Sequence, residues 1–358
     1  MALTQVQPGM LGTPQPYSFK NRIINGAMVI DQRNAGASVS SASTYTLDRW
    51  KDTVSATGKF TIQQNAGSVT PPVGFTNYLG ITSSAATTVA AGDYYVLDQS
   101  IEGYNVADLG WGSASAKTIT ISFQVYSSLT GTFGCSVRNS AANRSYPFTY
   151  SIPVANTWTT ISVTVAGDTT GTWVTNNGTG LRLFFGLGVG STFSGTAGSW
   201  SANNYLGATG ATSVVGTSGA TFYITGVQLE VGVSATTFDY RAYGQELVLC
   251  QRYFQAIGVG SAKPLCFVGY FSSSAFQGCI RSTTTMRAAP TLYITTGTNY
   301  YIAYTASNND YVNSVTLDFA SPDCVEFYNN TEASGTANAA GPFATANASA
   351  FFGLQAEL

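Results

Sequence analysis

The sequence contains no histidine in 358 residues, and it carries little charge of either sign. The absence of histidine excludes Ser-His-Asp and Cys-His nucleophile systems, histidine general bases and histidine metal sites. Charged residues make up 9% of the chain, against about 25% in an average domain. The 15 basic residues are spread thinly from Lys20 to Arg287 and the net charge is -2, so no nucleic-acid partner is expected.

Cysteine pairs and long apolar runs are also missing. The five cysteines include no CxxC pair, which argues against a zinc knuckle or a complete disulfide framework and favours reduced, buried thiols. No stretch approaches the roughly 18 to 20 apolar residues of a membrane span, so no membrane insertion is expected. Because the first residues also lack the apolar run of a signal peptide, we expect cytoplasmic synthesis without export.

The first twenty residues form a segment of their own. They contain Pro8, Pro14 and Pro16, which exclude a helix or a central strand. The sequence therefore predicts an extended N-terminal arm over residues 1–20. Two interpretations remain open, an arm that docks on another chain and a frayed terminus.

Apolar residues that alternate with polar ones dominate the rest. Hydrophobic residues make up 44% of the chain and aromatic residues 13%, which is enough for a large core. Residues 118–125 (TITISFQV) and 160–165 (TISVTV) alternate throughout, which is typical of strands with one buried face. Many short strands separated by Gly and Asn turns predict an all-β fold, an antiparallel jelly-roll β-sandwich.

The pattern divides the chain into domains. Residues 21–243 form the predicted jelly roll, in which a change of apolar phase at Gly226 indicates a β-bulge. Residues 244–256 have helical spacing and are predicted to be a short connector. Residues 257–358 again show strands and turns, which predicts a second, smaller β-sandwich.

Several motifs are spread over nearly the whole chain from Asn21. They are NRIINGAMVIDQRN (21–34), YTLDRW (45–50), WGSASAK (111–117), GVQLEVG (226–232), YRAYG (240–244), CQRY (250–253), MRAAPT (286–291) and QAEL (355–358). Together they resemble a family of tailed-phage virion proteins of the tail-fibre or minor structural type. The N-terminal β region also resembles the jelly rolls of carbohydrate-binding modules.

The resemblance implies a place in the virion, after assembly in the host cytoplasm, and contacts with other virion proteins. It implies a homo-oligomer, a trimer by analogy with phage fibres, that binds the host receptor without catalysis. Two other functions stay open. One is a capsid or tail component, structural or decorating, that binds only virion proteins; the other is a polysaccharide depolymerase.

Sugar binding requires aromatic faces and polar loop side chains. The long loop at 189–220 and the loop at 173–177 have this composition, so the candidate glycan-binding residues are Trp200, Tyr205, Asn203, Asn204 and Trp173. The alternative is that each tryptophan anchors its own loop to the sandwich. We expect Trp50, Trp111 and Trp158, which lie near regular strands, to be core residues.

Two further kinds of site are considered, a catalytic pair of carboxylates and a calcium site. A glycosidase needs two carboxylates across a cleft, and the densest acidic cluster is Asp93, Asp98 and Glu102. Its members lie too close in sequence to predict a cleft, so no catalytic residue is assigned. No cofactor is predicted, although a structural calcium ion would find oxygen ligands in Asn25, Asp48 and Asp239.

Overall fold

The computed structural model describes residues 19–305 and 309–358, and the predicted all-β class is confirmed. Contacts between Cα atoms divide the chain into two compact units, which we call unit 1 and unit 2. Of the described residues, unit 1 contains 19–29, 38–44 and Trp50–Arg241. Unit 2 contains Ile30–Ala37, Tyr45–Arg49 and Ala242–Leu358. The predicted arm at residues 1–20 falls almost entirely outside the described residues.

Unit 1 is an antiparallel sandwich. Its strands are β1 (Val39–Ser40), β3 (Trp50–Val54), β4 (Phe60–Gln64), β5 (Leu79–Ser83), β6 (Tyr94–Glu102), β7 (Ile119–Ser127), β8 (Gly131–Arg138), β9 (Ser145–Ile152), β10 (Thr159–Val165), β11 (Thr179–Val189), β12 (Ser194–Gly195), β13 (Gly207–Ala208) and β14 (Thr221–Val231). Short 3-10 helices cover Ala66–Ser68, Gly103–Asn105 and Ala107–Leu109. One sheet has the order β1-β4-β5-β14-β7-β10, and the other, within unit 1, has the order β3-β6-β11-β8-β9.

The alternating sequence explains how these two sheets pack. In β7 the apolar side chains of Ile121, Phe123 and Val125 are buried, whereas the polar side chains between Ile121 and Val125 are less so. The ring of Phe123 meets that of Phe185 on β11 at 5.1 Å, edge to face. Phe185 in turn lies 6.1 Å from the ring of Trp50. Side chains from both sheets therefore meet in one core, as the period of two predicted.

The bulge predicted at Gly226 is present. Gly226 has a φ of 62°, and the pairing of β14 with β7 shifts between Thr225 and Gln228. A β-carbon at Gly226 would lie 2.6 Å from the ring of Phe75. Both the backbone conformation and the close ring favour glycine here.

The start of the NRIINGAMVIDQRN motif pairs with the chain just after this bulge. The side-chain amide of Asn21 donates to the carbonyl oxygen of Val227 at 3.1 Å, and its Oδ1 accepts from the backbone N–H of Leu229 at 3.1 Å. The Val227 N–H donates to the carbonyl of Gly26 at 2.9 Å. Two segments 206 to 208 positions apart in sequence are thus hydrogen-bonded to each other in unit 1.

Unit 2 is a second β structure with one short helix. Its elements are β2 (Tyr45–Leu47), α1 (Tyr243–Gln251), β15 (Phe254–Val259), β16 (Pro264–Ser272), β17 (Ala275–Arg281), β18 (Thr291–Ile294), β19 (Tyr301–Tyr304), β20 (Asn309–Val312), β21 (Thr316–Ser321), β22 (Cys324–Asn329), β23 (Ala340–Thr345) and β24 (Phe351–Gln355). A three-stranded sheet, β15-β24-β18, and a seven-stranded sheet, β20-β19-β23-β16-β17-β22-β21, enclose its core. The ring of Phe352 on β24 meets that of Phe327 on β22 at 5.5 Å between them.

A buried ionic cluster joins the two ends of unit 2 in sequence. The carboxylate of Glu357 accepts from Arg33 Nη2 at 3.0 Å and from Arg49 Nη1. The guanidinium of Arg33 stacks on Phe254 and that of Arg49 on Tyr253, each 3.6 Å from the ring centre. Burial would lower the pKa of Arg49, but the charge of Glu357 raises it above the ordinary value. Residues of the early segments are therefore integral to unit 2.

The prediction that the cysteines are buried thiols is wrong for three of the five. Cys135 and Cys250 are buried, as expected, but Cys266 and Cys324 are part-exposed and Cys279 is exposed. Cys279 on β17 and Cys324 on β22 lie on the outward face of their sheet, whereas Cys266 packs only partly against the core of unit 2. In the part of the chain that the structure describes, no helix is long and apolar enough to cross a membrane.

Candidate functional site

Three tryptophans from three loops meet on unit 1, and we call them the tryptophan cluster: Trp111, Trp173 and Trp200. The ring centroids of Trp111 and Trp173 are 4.6 Å apart, those of Trp111 and Trp200 5.3 Å, and those of Trp173 and Trp200 5.6 Å. Each pair meets edge to face, at angles of 79° to 81°. All three side chains remain part-exposed.

Hydrogen bonds from the indoles fix the loops. Trp111 donates through Nε1 to the carbonyl of Lys117 at 2.7 Å, and Trp200 donates to the carbonyl of Ala166 at 2.8 Å. The corresponding bond of Trp173, to Thr170, is longer at 3.3 Å. The polar edges of the rings are thus engaged with backbone, and what the cluster presents outward is ring carbon.

An ion pair between Arg144 and Asp168 fixes the loop that carries Trp173. Arg144 Nε and Nη2 donate to the two carboxylate oxygens of Asp168 at 2.7 and 2.6 Å, a bidentate geometry. Burial alone would raise the pKa of Asp168, but the hydrogen bonds from Arg144 and Thr170 hold it below its ordinary value. The guanidinium carbon of Arg144 lies 5.8 Å from the ring centre of Trp200. A bidentate ion pair, in which each partner favours the charged form of the other, therefore supports one side of the cluster.

Glycines let the loops approach each other closely. Gly112 has a φ of 85°, and a β-carbon there would lie 2.7 Å from the carbonyl oxygen of Gly171. The Gly112 N–H donates to the carbonyl of Asp168 at 2.7 Å. Any larger residue at position 112 would separate the loops that carry Trp111 and Trp173.

A cleft of about 160 Å³ opens beside Trp111 and Trp173. Its floor is apolar, with Leu109 and Leu181 among the lining residues, and Ser113 and Thr175 add hydroxyl groups. The site therefore combines aromatic carbon with a few neutral polar groups, which is the composition of sites that bind uncharged ligands.

The structure brings together two of the five predicted glycan-binding residues, Trp173 and Trp200. The other three make contacts of their own on the long loop. Asn203 Nδ2 donates to the hydroxyl of Tyr205 at 3.0 Å, and Asn204 Oδ1 accepts from a guanidinium nitrogen of Arg138. The loop residues thus contribute to different local networks.

Trp111 and Trp158 were expected in the core, and the structure corrects both. Trp111 belongs to the cluster, and Trp158 lies part-exposed with its Nε1 donating to the carbonyl of Thr70 at 2.9 Å. Trp50 is fully buried, as expected. The sequence does hold a signal for Trp111, because glycines at 110 and 112 place it in a turn rather than in a strand.

The acidic residues considered for catalysis are engaged with other groups. Asp98 accepts from Arg182 Nη2 and from the hydroxyl of Thr53, each at 2.6 Å. Asp93 accepts from Ser55 at 3.1 Å, and Glu102 is buried. Asp98 thus acts as the counterion of Arg182 on the outer face of its sheet.

The proposed calcium ligands also have protein partners. Asp48 in unit 2 accepts from the backbone N–H of Gln32 at 2.7 Å, and Asp239 in unit 1 accepts from that of Asn21 at 3.4 Å. Among residues 19–305 and 309–358, no group of three or more cysteine or acidic residues is arranged to hold a metal ion. A calcium site therefore stays a prediction.

Comparison with known proteins finds no matching family model and no matching curated protein. Solved structures that match part of this chain include the enzymatically active domain of tailspike protein 4 from bacteriophage CBA120, with 12% identity and a TM-score of 0.32 over 59% of this chain. Two others are a family 11 carbohydrate-binding module from Clostridium thermocellum, with a mixed-linked tetrasaccharide (13%, TM-score 0.28), and a xylan-binding domain from Paenibacillus barcinonensis (12%, TM-score 0.28).

The lengths compared differ widely. The match covers 21% of the tailspike chain, but 98% and 99% of the two modules, which correspond to 55% and 57% of this chain. At these identities and scores, the likenesses assign neither ligand nor activity to this chain.

Proposed function

We propose that this chain is a virion protein of the tail-fibre, receptor-binding type that contacts host-surface glycans without catalysis. The observation that carries the proposal is the tryptophan cluster, in which three part-exposed indoles from three separate loops meet beside an apolar cleft. Tryptophan is large and apolar, and three part-exposed indoles gathered at one place on a surface are typical of a binding site.

The chemistry of the cluster suits a neutral sugar. The C–H face of a pyranose ring packs on an indole, while hydroxyl groups need donors and acceptors at the rim. Ser113 and Thr175 supply such groups in the cleft, and Asn176 is exposed next to it. With 9% charged residues in the whole chain, shape and hydrogen bonding would outweigh charge in recognition.

A second candidate is a structural or decorating component that binds only virion proteins. The specific observation in its favour is the exposure of large aromatic side chains on unit 2. Phe267 and Phe271 are 73% and 63% exposed on one face of β16, and Phe319 on β21 is 69% exposed. Exposed aromatic groups of this size are common at protein contacts.

Glycan binding by single-tryptophan variants tests the proposal. We expect Trp173→Ala to weaken binding to an array of bacterial surface glycans roughly tenfold or more, since a central aromatic contact carries that much affinity. Trp158→Ala is the matched control, because Trp158 is also part-exposed but donates its hydrogen bond to a different loop. Circular dichroism must show both variants folded.

Two outcomes would count against glycan binding. Intact protein that binds no glycan on the array would favour the second candidate, and equal loss in the Trp158 variant would remove the tryptophan cluster as the site. Release of reducing ends from host polysaccharide would instead support a depolymerase. The place in the virion is tested separately, by immunogold labelling of particles with an antibody against this chain.

A further inference from the structure

Two cysteines of unit 2 lie side by side on neighbouring strands. In the antiparallel pair β17–β22, Cys279 is opposite Glu326 and Cys324 is opposite Arg281. Positions two apart along a strand share a face, so both cysteines point to the same side of the sheet. Their Sγ atoms are 2.6 Å apart.

This pair differs from Cys135 and Cys250 in exposure. Cys279 is exposed and Cys324 is part-exposed, whereas Cys135 and Cys250 are buried. Cys266, on the neighbouring strand β16, is part-exposed, and burial raises its pKa to about 12. The hydrogen bond with Cys324 and burial also raise the pKa of Cys279, to about 11, so the contact between the two sulfurs, rather than thiolate content, distinguishes this pair from Cys266.

We propose that Cys279 and Cys324 form a disulfide bond when the protein meets an oxidising environment. Diagonal neighbours across a strand pair lie about 7 to 8 Å apart between Cα atoms, whereas a disulfide usually spans about 4.4 to 6.8 Å, so bond formation draws the two strands slightly together. The contact between the two sulfurs indicates that the side chains turn toward each other across this diagonal. The inference does not depend on the proposed glycan binding.

The reaction is thiol–disulfide exchange with a low-molecular-weight disulfide such as oxidised glutathione. The thiolate of one cysteine attacks a glutathione sulfur, and one reduced glutathione leaves. The second cysteine, as its thiolate, attacks the mixed disulfide, and the second reduced glutathione leaves. Two protein thiols are oxidised by two electrons, one glutathione disulfide is reduced, and the two protons end on the departing thiols.

The bond would cross-link β17 to β22, the strand next to one edge of the seven-stranded sheet. β22 lies between β17 and the edge strand β21, and the two cysteines are 45 positions apart in sequence. The bond therefore closes a long loop that contains β18 to β21, and a cross-link over a long loop restricts the unfolded chain. The oxidised protein should melt at a higher temperature than the reduced one.

Thiol counting provides the direct test. The protein has five cysteines, so the denatured, reduced chain gives five reactive thiols, and we expect three after incubation with oxidised glutathione. Intact mass should fall by about two hydrogen masses, and peptide mapping should join the peptides of Cys279 and Cys324. Cys279→Ser and Cys324→Ser should each form no internal bond, because the remaining cysteine of the pair has no partner and can only stay reduced or carry a glutathione adduct.

Cys266→Ser is the matched control, because it removes a neighbour and leaves the pair intact. It should lose two of its four thiols and keep the rise in melting temperature on oxidation, which Cys279→Ser should lack. Three outcomes in the parent protein would each overturn the proposal: five thiols after oxidation, glutathione adducts that persist on the pair, or a mapped bond from Cys266 to Cys279. Because Cys279 is exposed, its replacement by serine should not prevent folding.

Discussion

Asp48 is a carboxylic acid held out of water in unit 2. It is fully buried, and burial raises its pKa to about 6, against the opposing effects of the Arg33 charge and the hydrogen bonds from Gln32. In the unfolded chain the same group ionises near pH 4. Between these values the folded state holds more protons than the unfolded state. The stability contributed by this group therefore falls as the pH rises from about 4 to 6.

Replacement of Asp48 by asparagine should remove this dependence. A pKa difference of about two units corresponds to about 3 kcal/mol. We expect the free energy of unfolding of Asp48→Asn, relative to the parent protein, to improve by up to that amount between pH 4 and pH 7. Urea titrations at both pH values measure it. The exposed Asp318→Asn serves as control and should follow the parent. Parallel pH profiles for Asp48→Asn and the parent protein would contradict the assignment.

At the scale of elements, the segment from Asn21 to Gly26 acts as a strand partner for the end of β14. A β-carbon on Gly26 would lie 2.1 Å from the carbonyl oxygen of Val227, which is backbone and cannot move aside cheaply. The motif NRIINGAMVIDQRN thus requires glycine for space at this position rather than for backbone conformation.

Gly26→Ala should therefore be destabilising by about 2 to 4 kcal/mol, because the segment must separate from β14. Thermal unfolding of unit 1 would report it as a lower melting temperature. Gly92→Ala is the matched control, since no atom lies within 4 Å of a β-carbon there. A Gly26→Ala protein as stable as that control would show that the segment contributes little to the fold.

The strands and the bulge are largely predictable from the sequence, whereas the contacts between loops that are distant in sequence are not. A period of two is local information, so β7 and β10 followed from the sequence, as did the bulge at Gly226. The tryptophan cluster depends on three loops that are distant in sequence. The strands near Trp111 in sequence predict a core residue, and nothing local shows that its loop meets the other two. Likewise, nothing local distinguishes exposed Cys279 from buried Cys135, because the burial of a strand residue depends on what packs on its sheet.

At the scale of the whole molecule, the proposed trimer rests on the resemblance to phage fibre proteins. We expect sedimentation velocity to give a particle of three times 37.5 kDa at micromolar concentration. Because obligate oligomers are often unstable as monomers, dilution should lower the melting temperature. A stable particle of 37.5 kDa would contradict the trimer but leave glycan binding by unit 1 untouched.

The sequence separation within the cluster of Arg33, Arg49 and Glu357 also limits how early in synthesis these ion pairs can form. Arg33 and Glu357 are 324 positions apart, so two cations of unit 2 leave the ribosome long before their carboxylate exists. Contacts this distant in sequence form late. Unit 2 therefore completes this ionic cluster only after translation of Glu357, and a fragment that starts at Ala242 would carry Glu357 without either arginine.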